Sequence, residues 1–189
     1  MITLASDFGS PYPAAMKGAI LTRCDARLVD IGHEFPRQDV RAAAFWLAQI
    51  LPEFPAAVHL VVVDPGVGTD RSALVVRAGD HVLVGPDNGV LFPPARALAS
   101  GDGEYRADID AYELEIDEPR SATFHGRDVF APGAAAVHEA GIDLLSELAM
   151  LSPAADVVEL ELPSPELTDD GAAGEVFVVD GFGNVVTNV

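Results

Sequence analysis

Val58-His59-Leu60-Val61-Val62-Val63 is the feature that most constrains how this chain folds. A strand with almost no polar face has to be covered on both sides, which suits the centre of a sheet held between layers of helix. The neighbouring segments supply those layers. Ile2 to Ala5 is a short apolar run ending at Ser6-Asp7-Phe8-Gly9, a strand followed by a turn. Leu28 to Ile31, Ala73 to Val76 and His81 to Val84 read as further strands, the last stopping at Gly85-Pro86-Asp87-Asn88-Gly89. Tyr12 to Thr22 reads as a helix with Pro13 in its first turn. Between Asp39 and Leu51, the residues Val40, Ala43, Ala44, Leu47, Ile50 and Leu51 recur at helical spacing and give that segment one buried face. A further helix is predicted over Val129 to Ala140. Strands alternating with helices predict a layered α/β domain with a mainly parallel sheet and flanking helices. There is no internal repeat.

At 189 residues, 49% of them apolar and 22% charged, the chain can build a full core and is one large domain or two small ones. Around Ser152 to Gly174 the composition shifts: Pro153, Pro163 and Pro165 stand among Glu159, Glu161, Glu166, Asp169 and Asp170. That predicts an N-terminal domain over 1–151, a linker over 152–174, and over 175–189 the start of a smaller β-rich C-terminal domain. Val176 to Val179 begins a strand, Phe182-Gly183-Asn184 turns, and Val189 is reached inside the hairpin, so a truncated second domain is expected. Two strands alone are marginal in water, which predicts a loose chain after Gly174.

The net charge is −19, from 11 basic and 30 acidic residues. Such a chain is not drawn to nucleic-acid phosphates or to an anionic membrane surface. The most apolar stretch, Ala42 to Val63, is interrupted by Pro52, Glu53 and Pro55 and does not read as a membrane span. Cys24 is the only cysteine, which leaves no internal disulfide and no cysteine-based zinc site; it is expected to pack against a helix. No basic leader precedes Asp7, so no signal peptide is read and a cytoplasmic location is expected. Lys17 is the only lysine beside ten arginines. Many carboxylates with almost no lysine suit a halophilic protein, whose self-repulsion is screened by cellular salt; the alternative is an ordinary acidic protein from an arginine-rich proteome.

Three aspartates follow strand ends: Asp7, Asp64 and Asp87. Ligands of open α/β sheets bind at that rim, although an aspartate there also caps helices or closes Asx turns. Asp64 and Arg71 flank the turn Pro65 to Asp70, and if the two flanking strands pair, their side chains meet across it, as a functional pair or a structural salt bridge. The Gly66-x-Gly68 pair lacks the context of a phosphate loop. His125, in Phe124-His125-Gly126-Arg127-Asp128, has the chemistry of a base near neutral pH and equally suits a hydrogen-bonded turn. His33 has metal-ligand chemistry with Asp7 or Asp64, but no HExxH or comparable spacing supports it, so no metal is expected.

The ordered segments Ser6-Asp7-Phe8-Gly9, Met16-Lys17-Gly18, Asp30-Ile31-Gly32-His33-Glu34, Val63-Asp64-Pro65-Gly66-Val67-Gly68-Thr69, Gly85-Pro86-Asp87-Asn88-Gly89, His125-Gly126-Arg127-Asp128-Val129-Phe130-Ala131-Pro132 and Asp180-x-Phe182-Gly183-Asn184-x-x-Thr187-Asn188 together resemble the S-adenosyl-L-methionine (SAM) hydroxide adenosyltransferases. These SAM hydrolases are relatives of the fluorinating and chlorinating SAM enzymes. The resemblance implies an enzyme that converts SAM and water to adenosine and L-methionine with no metal or organic cofactor. It implies an α/β N-terminal domain that binds SAM and carries catalysis, a smaller β-rich C-terminal domain, and a homotrimer. Each site then lies between one subunit's N-terminal domain and its neighbour's C-terminal domain. The resemblance assigns Asp64, Arg71 and His125 to catalysis, Asp7 to the ribose, and Asp180, Phe182 and Asn184 to SAM contacts. Two alternatives stand beside it: a SAM-dependent halogenase, whose kind replaces the Asp and His positions and carries serine where Gly126 stands, and a non-catalytic adenosine- or SAM-binding module. This chain also departs from the family's DFGxxD, because Asp7-Phe8-Gly9-Ser10-Pro11-Tyr12 is two residues shorter and lacks the second aspartate. Ser10 or Tyr12 is expected to help Asp7 with the ribose.

Overall fold

The computed structural model describes residues 1–100, 108–116, 120–121 and 123–189. Its centre is a seven-stranded sheet in the order β2-β1-β3-β5-β4-β6-β7. The four strands β1 (Ile2–Ser6), β2 (Leu28–Gly32), β3 (Val58–Val62) and β5 (His81–Pro86) are mutually parallel. β4 (Ala73–Ala78), β6 (Ile109–Leu114) and β7 (Leu151–Pro153) extend the sheet through antiparallel pairs. Every residue of β1 and β3 is buried, as their unbroken apolar runs require.

Helices cover both faces. On one, Ile2, Leu4, Leu60 and Val62 pack against Met16 and Ile20 of α1 (Tyr12–Leu21) and Ala134 of α4 (Ala131–Ala140). On the other, Ala5, Val61, Val63 and Leu83 pack against Ala43 and Leu47 of α2 (Val40–Ile50) and Ala95 of α3 (Phe92–Ser100). The layered α/β architecture expected from the sequence is thus present. Asp39 caps α2, its Oδ1 accepting the Ala42 N–H at 2.9 Å. Helix α3, absent from the sequence reading, carries Pro93 and Pro94 in its first turn, where backbone N–H groups need no partner within the helix.

The strand pairing on which the meeting of Asp64 and Arg71 was conditioned does not form. β3 and β4 flank the glycine turn but do not pair; β5 lies between them. The cause is the two-residue connection Gly79-Asp80, with Gly79 at φ 59, which closes β4 and β5 into a tight hairpin and sends β4 to the outer side of β5. β3 and β5 approach closely near Gly85, where a Cβ would stand 2.4 Å from the Val61 carbonyl oxygen.

Like Thr3 and Ser6 of β1, His59 of β3 is a polar residue fully buried in this core. Its Nδ1 lies 2.8 Å from the Thr3 hydroxyl and its Nε2 lies 2.9 Å from His81 Nδ1, with the two rings stacked. Burial, then the neighbouring His81, pushes the His59 pKa down to about 3.

Segment 152–174 does not run free over the surface. Its first residues belong to β7, and Ala154, Val157 and Leu160 pack on the α2–α3 side of the core. Asp87 Oδ1 accepts the Val158 N–H at 2.8 Å, and Arg96 donates to the Leu160 carbonyl at 2.8 Å. A small hairpin, β8 (Glu166–Thr168) with β9 (Gly171–Ala173), follows. The last hairpin, β10 (Val176–Val179) with β11 (Val185–Thr187), turns through Phe182-Gly183-Asn184 as the sequence suggests. It is not the isolated strand pair expected after Gly174. Val178 is buried with Ala42 and Phe45 of α2, the rings of Phe177 and Phe45 lie 4.6 Å apart, and Arg41 pairs with Glu175.

Candidate active site

The carboxyl ends of the parallel strands hold the chemistry, as open α/β sheets favour. Asp64 follows β3 and Arg71 precedes β4. Although their strands are not paired, the turn between them folds back so that the Arg71 Nε donates to both Asp64 oxygens, at 3.0 and 3.2 Å, and Nη2 donates to Oδ2 as well. The Gly66 N–H donates to Asp64 Oδ1 at 3.2 Å. Both side chains are largely buried, at 5% exposure for Asp64 and 11% for Arg71, so this pair works in a medium drier than a surface salt bridge.

His125 joins them from the start of a π-helical turn, Gly126–Phe130, that leads into α4. Its Nδ1 is 2.8 Å from Arg71 Nη2. A guanidinium only donates, so Nδ1 is the acceptor and the neutral ring carries its proton on Nε2. Burial first, and the adjacent Arg71 second, lower the His125 pKa below the usual value for histidine. The floor under the guanidinium is Phe130, fully buried, with Arg71 Cζ 4.9 Å from its ring centre. Phe130 reads in the sequence as one more apolar position of a helix, and its role as this floor was not legible there.

A pocket of about 370 Å³ opens beside this array, with Asp7 and Asp64 in its wall. Asp7 follows β1, and its Oδ2 accepts the Gln38 N–H at 2.6 Å. Gln38 has φ 60, a left-handed conformation uncommon for a residue with a side chain. Neither Gln38 nor Arg37, which also lines the pocket, was found from the sequence. The available signal was position alone, since both belong to the loop that brings the chain back to the rim before α2. Phe8, Tyr12 and Phe124 form an aromatic wall, with Tyr12 6.2 Å from Phe8 and 6.3 Å from Phe124 between ring centres. Arg127 stacks 5.0 Å over Phe124 and donates to buried Asp128 at 2.6 Å through both Nε and Nη2. Those bonds hold the Asp128 carboxyl below the usual range.

The remaining sequence candidates separate from this pocket. Asp87, third of the acidic turns, is engaged with the Val158 backbone. His33 places Nδ1 2.7 Å from Ser6 Oγ and Nε2 3.0 Å from Asp30 Oδ1. Ser10 lines a neighbouring cavity of about 700 Å³, whereas Tyr12 lines the Asp7 pocket. Asp180, Phe182 and Asn184 do not line the Asp7 pocket. Asp180 Oδ1 accepts the N–H groups of Phe182 and Asn184 at 2.9 and 2.8 Å, and its Oδ2 accepts the Asn184 side-chain amide at 2.7 Å. These bonds, Asn184's first, hold the Asp180 carboxyl below its ordinary range. They also present Phe182 to solvent at 95% exposure.

Residues 2–147 match the model of the SAM hydroxide adenosyltransferase N-terminal domain. The chain belongs to the SAM hydroxide adenosyltransferase family. A relative named (R)-S-adenosyl-L-methionine hydrolase, from Salinispora tropica, is 44% identical over 97% of this chain and 70% of its own length. A protein of the same name from Thermus thermophilus is 42% identical over 97% of this chain and 72% of its own. An uncharacterized conserved protein from Thermotoga maritima superposes with a TM-score of 0.80 at 35% identity, over all of this chain and 71% of that one. The Asp64–Arg71–His125 array and the Asp7 pocket lie in the segment that the family model covers.

Proposed function

We propose that this chain hydrolyses SAM to adenosine and L-methionine by attack of water on the ribose C5′. The observation that carries the reading is the buried Asp64–Arg71–His125 array at the wall of a pocket that also presents Asp7. The names of its relatives agree with it.

The water oxygen forms a bond to C5′ while the C5′–S bond breaks. Its electron pair goes to sulfur, which leaves as the neutral thioether of methionine. A sulfonium is already a good leaving group, so the reaction requires no metal or organic cofactor. The proton is the remaining difficulty. Water is a very weak acid, but its protons become far more acidic once its oxygen starts to bond to carbon. A carboxylate then suffices as the base, and Asp64, which lines the pocket, accepts that proton. Arg71 orients Asp64, and His125 orients Arg71 by accepting from it. Asp7 holds the ribose hydroxyls. Base catalysis of this kind is worth about 10² to 10⁴-fold.

In this reading the cytoplasmic protein is a homotrimer. Asp180, Phe182 and Asn184 face the neighbouring subunit's SAM, which accounts for an exposed Phe182 on a turn fixed by Asp180. A halogenase is disfavoured by Asp64, His125 and Gly126. A Cβ at Gly126 would stand 3.0 Å from Met16 Sδ, so a serine there requires that side chain to move. Incubation with SAM in the presence of EDTA tests the proposal. Adenosine and methionine in equal amounts are expected; unchanged SAM, or activity that requires an added divalent ion, would contradict it.

A further inference from the structure

We infer that Lys17, Asp30, His33 and Ser6 form one hydrogen-bonded chain that holds the Asp7 turn in place; they are positioning residues, and the inference rests on the hydrolase reading above. Two of the ordered sequence segments, Met16-Lys17-Gly18 and Asp30-Ile31-Gly32-His33-Glu34, supply Lys17, Asp30 and His33. The chain runs from a helix to a strand end. Lys17 of α1 donates to Asp30 Oδ2 at 2.5 Å, Asp30 Oδ1 lies 3.0 Å from His33 Nε2, and His33 Nδ1 lies 2.7 Å from Ser6 Oγ. The direction of each link follows from its ends. An ammonium only donates and a carboxylate only accepts, so the neutral ring of His33 carries its proton on Nε2 and Nδ1 accepts from the Ser6 hydroxyl. Burial opposes ionisation of Asp30, but the hydrogen bonds from Lys17 and then His33 outweigh it and hold the carboxyl below its ordinary range.

What the chain holds is the turn that carries Asp7. Ser6 is the last residue of β1 and is fully buried, so its hydroxyl needs a partner, which the His33 ring supplies. The His33 carbonyl also accepts the Gly9 N–H at 2.8 Å, so His33 grips the turn on both sides of Asp7. The Phe35 N–H donates to the Ser6 carbonyl at 3.4 Å, and the Gln38 N–H donates to Asp7 Oδ2 at 2.6 Å.

Folding stability is a weak reason for this chain. The Lys17 and Asp30 side chains are 32% and 42% exposed, and ion pairs in contact with water add little to folding. Position is the stronger reason. A binding group grips its ligand well only when neighbours with fixed rotamers keep it within about 0.5 Å of the productive geometry. Lys17, Asp30 and His33 line the neighbouring cavity of about 700 Å³ rather than the Asp7 pocket, so they reach the ribose through the turn.

The test compares adenosine with its 2′,3′-dideoxy analogue, which lacks the diol, by calorimetry on wild type, His33→Phe and Asp30→Asn. His33→Phe keeps a ring of similar size and removes both ring hydrogen bonds. It should weaken adenosine binding by about 10-fold and dideoxyadenosine binding by less than about twofold, and raise KM for SAM with kcat within about threefold. Asp30→Asn keeps an oxygen that accepts from Nε2 and loses the charge. It should show a smaller loss with the same dependence on the diol, and it carries the comparison if His33→Phe does not fold. Equal losses on adenosine and dideoxyadenosine would mean a merely structural role and overturn the inference, as would unchanged adenosine affinity in both variants. A loss on SAM with none on adenosine would also overturn it, because these side chains would then touch the methionine end directly. Diol-dependent losses in a protein that leaves SAM intact would refute the hydrolase reading and leave the positioning role standing.

Discussion

At the scale of single residues, the array that takes the proton from water, Asp64 held in place through Arg71 and His125, is distinct from the groups that hold the substrate. Asp64→Asn and His125→Ala should lower kcat by about 10²-fold or more with SAM affinity within a few-fold, whereas Asp7→Ala should weaken SAM binding; steady-state kinetics with calorimetry checks both. Wild-type turnover in Asp64→Asn would remove that carboxylate from the chemistry. Asp64, Arg71 and His125 were legible because each stands in a short motif with glycine or proline neighbours. Their meeting was not derivable from strand pairing, since β5 separates β3 from β4. It depends on the return of the turn Pro65 to Asp70 and on a guanidinium long enough to reach both partners. Arg37 and Gln38 escaped notice for a different reason. A left-handed φ on a glutamine leaves no mark in composition or periodicity, and only the hydrogen bond to Asp7 shows what it does.

At the scale of elements, the strong periodic or unbroken apolar segments were read correctly. α1, α2, β1 and β3 each announce a buried face through their side chains alone. The elements that were missed draw their order from contacts distant in sequence. β6, Ile109-Asp110-Ala111-Tyr112-Glu113-Leu114, has its apolar run broken by Asp110 and Glu113 and is a strand because β4 and β7 bracket it. The C-terminal hairpin is held the same way, by Phe45 and Arg41 on α2, which a reading of residues 175–189 alone does not see. Phe177→Ala removes the ring that lies tilted against Phe45 and over which Arg41 lies, at 5.0 Å from its centre. Hydrogen exchange of that variant should show protection lost from Val176 to Thr187 and retained in β1 and β3. An exchange pattern identical to wild type would mean that α2 does not hold the hairpin.

At the scale of the whole molecule, two bulk properties follow from the charges. Below about pH 6.5 the unfolded chain protonates His59, while the folded chain does not until about pH 3. Stability should therefore fall as pH drops through that window, by at most roughly 1.4 kcal/mol per pH unit from this group. Urea unfolding at pH 7 and pH 5 measures it, and a His59→Gln variant should lose this part of the slope. A slope unchanged in that variant would contradict a neutral buried His59. The net charge of −19 makes the second prediction: the melting temperature should rise as KCl goes from dilute to molar, since screening relieves carboxylate repulsion. A flat or falling melting temperature would favour an ordinary acidic protein. Charge and layer pattern were legible from composition and periodicity because both are sums over many residues, whereas the route of 152–174 over α2 and α3 rests on a few contacts such as Asp87 with Val158.

The central claim is that water attacks the ribose C5′ of SAM. Running the reaction in heavy-oxygen water with EDTA present and weighing the adenosine by mass spectrometry tests it most directly. One heavy oxygen per adenosine, located at the 5′ position, and none in methionine is the expected result. Adenosine without the label, label in methionine, or no adenosine at all would contradict it.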